Sequence, residues 1–133
     1  MTRYMLDTNT CIFLAKNRSE VVGQYSAKKS QGIAISAIVV AELQFGVANS
    51  MRPEENAATL SCFLLGFELL DFDTAAAMEY GRICCALRRQ GQPIGTMDML
   101  IAAHAKAAGL TLVTNNTREF ARVEGLLLED WVV

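Results

Sequence analysis

Apolar positions fall into short, nearly unbroken runs separated by longer stretches of helical period. Tyr4-Met5-Leu6, Ile33-Ala34-Ile35 and Leu110 to Val113 are runs of the kind found in strands buried on both faces. Glu68 to Phe72 adds another strand, and a last one is expected near Leu126 to Leu128. Between them the pattern predicts a helix through Cys11 to Ala15, then a more polar helix capped by Ser19 and ending before Gly32. Ser36 caps a helix from Ala37 to Ala48, and Pro53 opens one reaching about Leu65. A long helix runs from Asp73 to about Gln90, and Thr96 caps a helix to Ala108 that Gly109 ends. Strands alternating with helices predict an α/β fold, with a central, mostly parallel sheet and helices on both faces. No repeat, low-complexity tract or linker interrupts the pattern, so residues 1–133 read as one domain. In such sheets ligands bind beyond the carboxyl ends of the strands, which singles out Asp7, Ser36 and Thr114-Asn115-Asn116.

Composition narrows the function classes. With 133 residues there is room for one core, and 52% hydrophobic residues exclude a disordered chain. A net charge of -2 excludes the bulk positive field of non-specific nucleic-acid binders, so any polyanion must be met locally. Cys11, Cys62, Cys84 and Cys85 form no C-x-x-C pair and there is one histidine, which argues against zinc and for core thiols in a reducing compartment. The start Met1-Thr2-Arg3-Tyr4-Met5-Leu6 breaks at Asp7 before a signal-peptide apolar region forms, and no run has the character of a membrane span. A soluble, cytoplasmic protein is expected.

Three long windows each carry a single formal charge, and in each it is an acid. Asp7 stands alone between Arg3 and Lys16, Glu42 between Lys29 and Arg52, and Asp98 between Arg89 and Lys106, the titratable His104 aside. Glu42 shares a helical stripe with Ile38 and Phe45, which predicts that it faces inward. Singly, Asp7 reads as a helix cap, Asp98 as a first-turn carboxylate favoured by the helix dipole, and Glu42 as an edge residue. Taken together, strand-end placement brings them to one edge of the sheet. Three carboxylates about 4 Å apart repel by about 4 kcal/mol per pair at an effective dielectric near 20, about 12 kcal/mol in all, which rivals a domain's whole stability. Such a cluster takes up protons or a cation, and an all-oxygen donor set selects a hard ion, Mg²⁺ or Mn²⁺. Thr8, Ser36, Thr114 and Asn116 offer hydroxyls and amides to the same edge, as supports or phosphate contacts. Glu119 either adds a fourth carboxylate or pairs with Arg118, and composition alone favours the surface pair.

Met5-Leu6-Asp7-Thr8-Asn9, Ala41-Glu42-Leu43-Gln44-Phe45-Gly46, the run Gly95-Thr96-Met97-Asp98 through Ala105, and Leu112-Val113-Thr114-Asn115-Asn116 through Phe120 occur in that order and spacing. With the closing Leu128-Glu129-Asp130-Trp131, they resemble the PIN-domain ribonucleases, most closely the VapC toxins of bacterial toxin–antitoxin pairs. The resemblance implies a Mg²⁺-dependent endoribonuclease with catalytic Asp7, Glu42 and Asp98, Asp7 and Asp98 being direct metal ligands and Mn²⁺ a substitute ion. Many members carry an aspartate where this chain has Asn116, which leaves Glu119 as the candidate fourth acid and should weaken a second metal site. Further implied are cleavage in the anticodon stem-loop of initiator tRNA, a homodimer, and a cognate antitoxin that covers the site and commonly donates an arginine. DNA would be met only through that antitoxin.

The expected chemistry is attack of an activated water on phosphorus, leaving a 5′-phosphate and a 3′-hydroxyl. Two rivals stand beside it. One is a phosphatase using Asp7 as nucleophile, weakened because Asn9 replaces the second acid that its motif needs. The other is a non-catalytic binding module whose acids are neutralised by a partner's arginine. The nearly apolar helices from Ala37 to Ala48 and from Pro53 to Leu65 suit either burial or a partner groove.

Overall fold

Charge-free segments make the centre of the sheet. The computed structural model describes residues 2–133, so Met1, the first residue of the start considered above, lies outside it. In chain order the elements are β1 (Tyr4–Leu6), α1 (Thr8–Ala15), α2 (Ser19–Lys28), a 3₁₀ turn (Lys29–Gln31), β2 (Ile33–Ser36), α3 (Ala37–Ala48) and α4 (Pro53–Leu64). There follow β3 (Glu68–Leu70), α5 (Thr74–Arg89), α6 (Thr96–Ala108), β4 (Thr111–Val113), α7 (Thr117–Phe120) and β5 (Leu128–Glu129). The five strands lie in the order β3-β2-β1-β4-β5, every neighbouring pair parallel. β1 and β2 are buried along their whole length, whereas β3 at the edge exposes Glu68 and Leu69.

From β1 the chain moves outward through β2 to β3, then crosses back to β4 and on to β5. Right-handed crossovers therefore place the helices before and after that return on opposite faces of the sheet. The direction reverses between β1 and β4, which opens a crevice at their carboxyl ends. Register closes it tightly below: Leu6 pairs with Val113, and the Asp7 N–H donates to the Val113 carbonyl at 3.0 Å. Gly109, at φ 70°, ends α6 in the left-handed conformation and turns the chain into β4.

Several local expectations change. Ser19 and Thr96 are first helical residues and not caps; the cap positions belong to Arg18 and Gly95, neither of which makes a side-chain cap bond. Glu20 and Asp98 in the first turns stabilise those helix ends through the dipole instead. β3 stops at Leu70, because Asp73 is committed to capping α5, and the last strand begins only at Leu128, opposite Leu112. Only Cys11 is a core thiol; Cys62 and Cys85 are exposed on α4 and α5, Cys84 is half-buried, and all four are free. The stripe through Ile38, Glu42 and Phe45 does not face the core throughout. Ile38 packs against it, Glu42 is half-buried and Phe45 is 70% exposed.

Candidate active site: a cluster of carboxylates at the β1–β4 crevice

The site is assembled at the β1–β4 crevice. Asp7 directly follows β1 and caps α1, its Oδ1 accepting the Thr10 N–H at 2.8 Å. The Thr10 hydroxyl donates to the Val113 carbonyl at 3.1 Å, tying the first turn of α1 to β4. Asp7 is only 5% exposed. Burial pushes its carboxyl above the ordinary aspartate range, hydrogen bonds from Thr114 and Thr10 pull it partly back, and the charge of Glu42 pushes it up again.

Glu42 is fixed by the residue that follows Asp7: the Thr8 hydroxyl donates to its Oε1 at 2.5 Å. Asp98 sits in the first turn of α6, beside Gly95, where a Cβ would come within 3.7 Å of Oδ2. Its carboxyl is also raised, first by burial and then by the negative charges of Glu42, Asp7 and Glu119. Four acids from four separate segments thus act on one point in space. Among the described residues none of the four is in an ion pair.

Glu119 is the outcome composition did not favour. It makes no ion pair with Arg118, and its Oε2 accepts from the Asn116 amide at 2.8 Å. The Asn116 N–H in turn donates to the Thr114 hydroxyl at 3.0 Å, so Thr114, Asn116 and Glu119 form a short chain of bonds beside Asp7 and Asp98. Ser36 is placed differently. It is fully buried, its Oγ accepts the Ile38 N–H at 3.1 Å, and it meets His104 Nδ1 at 2.7 Å. A phosphate has no access to it, and its hydroxyl serves the start of the helix that carries Glu42. Thr10 escaped the sequence reading, although its position three residues after a capping aspartate was the available signal.

The donors are carboxylate, hydroxyl and amide oxygens, which suit a hard divalent cation. Among the described residues no three His, Cys, Asp or Glu side chains are gathered tightly enough to enclose an ion. The cluster is therefore looser than a 4 Å triplet. Magnesium accepts that arrangement, since it commonly takes one or two carboxylates and completes its octahedron with water and phosphate oxygens.

A stability effect follows from the raised carboxyls. A carboxyl raised in the folded state contributes stability that is complete below the unfolded value, 3.8 for Asp7, and is lost as pH rises through the folded value. Asp7→Asn keeps the cap and removes the charge. In EDTA at pH 7.5 its melting temperature should exceed that of wild type by about 3–6 °C, and the gap should shrink towards pH 5. Thermal melts at the two pH values check this; a variant that melts no higher at pH 7.5 contradicts it.

A family model described as PIN domain matches residues 4–126. The tRNA(fMet)-specific endonuclease VapC of Salmonella typhimurium is 44% identical over 131 residues, spanning 98% of this chain and 99% of the relative. Ribonuclease VapC2 of Rickettsia felis is 42% identical over 132 residues, spanning 96% and 97%. Among solved structures, the DNA-bound VapBC from Salmonella typhimurium superposes with a TM-score of 0.93 at 44% identity, covering 98% of this chain and 99% of that one. VapBC2 from Rickettsia felis, bound to a DNA fragment from its promoter, gives 0.92 at 39% identity, with 98% and 99% covered.

Proposed function

The chain belongs to the PIN-domain family, in its VapC branch, and on that premise we propose that it is a metal-dependent endoribonuclease toxin that cuts initiator tRNA in the anticodon stem-loop and is neutralised by a cognate antitoxin. The observation that carries the proposal is the cluster of Asp7, Glu42, Asp98 and Glu119 at the β1–β4 crevice, with no ion-paired cation among the described residues. The whole chain, 1–133, acts as one nuclease unit, and the cytoplasm is where its substrate is met. No helix among the described residues is long and apolar enough to cross a membrane.

Asp7 and Asp98 would hold the divalent cation, Mg²⁺ with Mn²⁺ as a substitute. When bound, the ion supplies positive charge against the scissile phosphate and acidifies the attacking water. Glu42, one oxygen held by Thr8, would have its other oxygen to orient the attacking water. Attack on phosphorus with loss of the 3′ oxygen leaves a 5′-phosphate and a 3′-hydroxyl. Thr114 steadies Asp7, and Asn116 steadies Glu119 without adding charge, so a second metal site is weak. Asp7 is unsuited to nucleophilic attack in a phosphatase: one oxygen is engaged at the α1 cap and the group is buried.

The exposed Phe45 and the apolar cleft lined by Ile12, Leu43, Leu60 and Phe63, between α1, α3 and α4, support docking of an antitoxin on the face next to Glu42. Contact with DNA then comes through that antitoxin, a reading supported by the two VapBC relatives solved with DNA bound. The test is incubation of antitoxin-free protein with initiator tRNA in Mg²⁺ or EDTA, followed by mapping of the product ends. Cleavage only in Mg²⁺, with 5′-phosphate ends, is expected. Metal-independent cleavage or a 2′,3′-cyclic phosphate overturns the mechanism, and no cleavage at all favours the binding module.

A further inference from the structure

The chain's only histidine has no part in the reaction described above, yet it is 3% exposed and polar. His104 lies on α6, six residues after Asp98, and its Nδ1 meets Ser36 Oγ at 2.7 Å. Ser36 caps α3, six residues before Glu42. Across the contact between α3 and α6, Ser36 thus stands beside His104 and Glu42 beside Asp98, the pattern of two rungs between antiparallel helices. Six residues of helix separate the rungs by about 9 Å on each side. One rung joins a hydrogen-bonded pair; the other brings together two carboxylates that repel. The His104–Ser36 bond ties α3 to α6 one rung away from the site and so sets how closely the other rung is held.

We propose that His104 is a positioning residue for the RNA cleavage proposed above: by bonding Ser36 it holds α3 against α6 at the spacing that keeps Glu42 beside Asp98. The inference rests on the nuclease reading. The surroundings of the ring fit the role. Phe72 meets it edge-on at 5.5 Å, which fixes its plane. Burial lowers the affinity of the ring for a proton, against the opposing charges of Asp73 and Asp71 from the segment between β3 and α5. A neutral imidazole suits a bond to a hydroxyl that already accepts the Ile38 N–H. Packing alone needs no nitrogen at this position.

The test compares His104→Asn, whose amide can occupy the place of Nδ1, with His104→Leu, which fills the space without a polar atom. Both are assayed with the initiator tRNA anticodon stem-loop in saturating Mg²⁺, separating kcat from KM, and the metal-free proteins are titrated with Mn²⁺ by calorimetry. His104→Leu is expected to lose about tenfold to a hundredfold in kcat with KM unchanged, because small misplacements far from the chemistry cost that much, while His104→Asn stays within about threefold of wild type. Mn²⁺ affinity should fall in the leucine variant and hold in the asparagine variant. A folded His104→Leu with wild-type kcat and Mn²⁺ affinity overturns the proposal, as does equal loss in both variants. If His104→Leu does not fold, Ser36→Gly removes the rung from the other side while keeping a residue suited to the cap, and it must show the same loss in kcat. A wild-type protein that does not cut removes the nuclease reading and this inference with it; a cutting wild type matched by its variants removes this inference alone.

Discussion

Asp98→Asn is expected to lower RNA cleavage by about a thousandfold or more, because in the proposed mechanism it removes a charged ligand from the point where transition-state charge must be balanced. The exchange is nearly isosteric, and Asp98 makes no side-chain cap bond for α6 to lose. Its carboxyl is held above the ordinary range by burial and by Glu42, Asp7 and Glu119, so in EDTA the variant should melt no lower than wild type. Mg²⁺ should raise the melting temperature of wild type and not that of the variant, since a ligand stabilises only the fold that binds it. Single-turnover cleavage and melts with and without Mg²⁺ read both effects. A variant that retains cleavage, or that still gains stability from Mg²⁺, removes Asp98 from the metal site. Loss of both activity and fold in EDTA would mean that the carboxylate serves structure instead.

Trp131→Ala should cost about 3–5 kcal/mol, the range for truncating a large buried aromatic, out of a domain stability of about 5–15 kcal/mol. Trp131 is among the largest fully buried side chains and meets Tyr4 of β1 edge-on, with ring centroids 5.7 Å apart. Its indole N–H donates to Glu129 Oε1 at 3.0 Å, and Lys28 reaches the same oxygen at 2.5 Å. The tail therefore ties β5 to β1 and, through Lys28, to α2. A fall in melting temperature on the order of 15 °C is expected, and Trp131→Phe should recover most of it by refilling the volume. Differential scanning calorimetry decides; a shift of only a degree or two would show that the tail is not part of the cooperative core.

What the sequence made legible was whatever depends on local runs and strand ends. Charge-free triplets located β1 and β2, and Asp7, Ser36 and Thr114 fell at strand ends because a side chain's place in an α/β sheet follows from chain order. The isolation of Asp7, Glu42 and Asp98 among apolar residues points to a shared environment, and in the fold the charges of Glu42 and Asp7 both act on Asp98. Periodicity was blind where the answer depends on what lies outside the segment. It put Phe45 inside because an apolar stripe looks the same whether the chain's own core or another protein covers it. α7 spans four residues, too few for any period to show, and composition favours a Glu119–Arg118 pair over a fourth acid because the tertiary bond to Asn116 leaves no trace in it. Residue type favours Ser19 and Thr96 as caps, yet one position decides whether a hydroxyl faces the orphan N–H groups or already lies within the first turn.

The return of the chain from β3 across to β4 has a consequence for how the crevice comes into being. Asp7 lies early in the sequence, but the carbonyl that anchors it belongs to Val113, more than a hundred residues on. A chain in which β1 has formed while β4 is not yet beside it has no crevice for the acids to line. Closing the sheet and assembling the site are therefore a single event, and whatever parts β4 from β1 dismantles both at once.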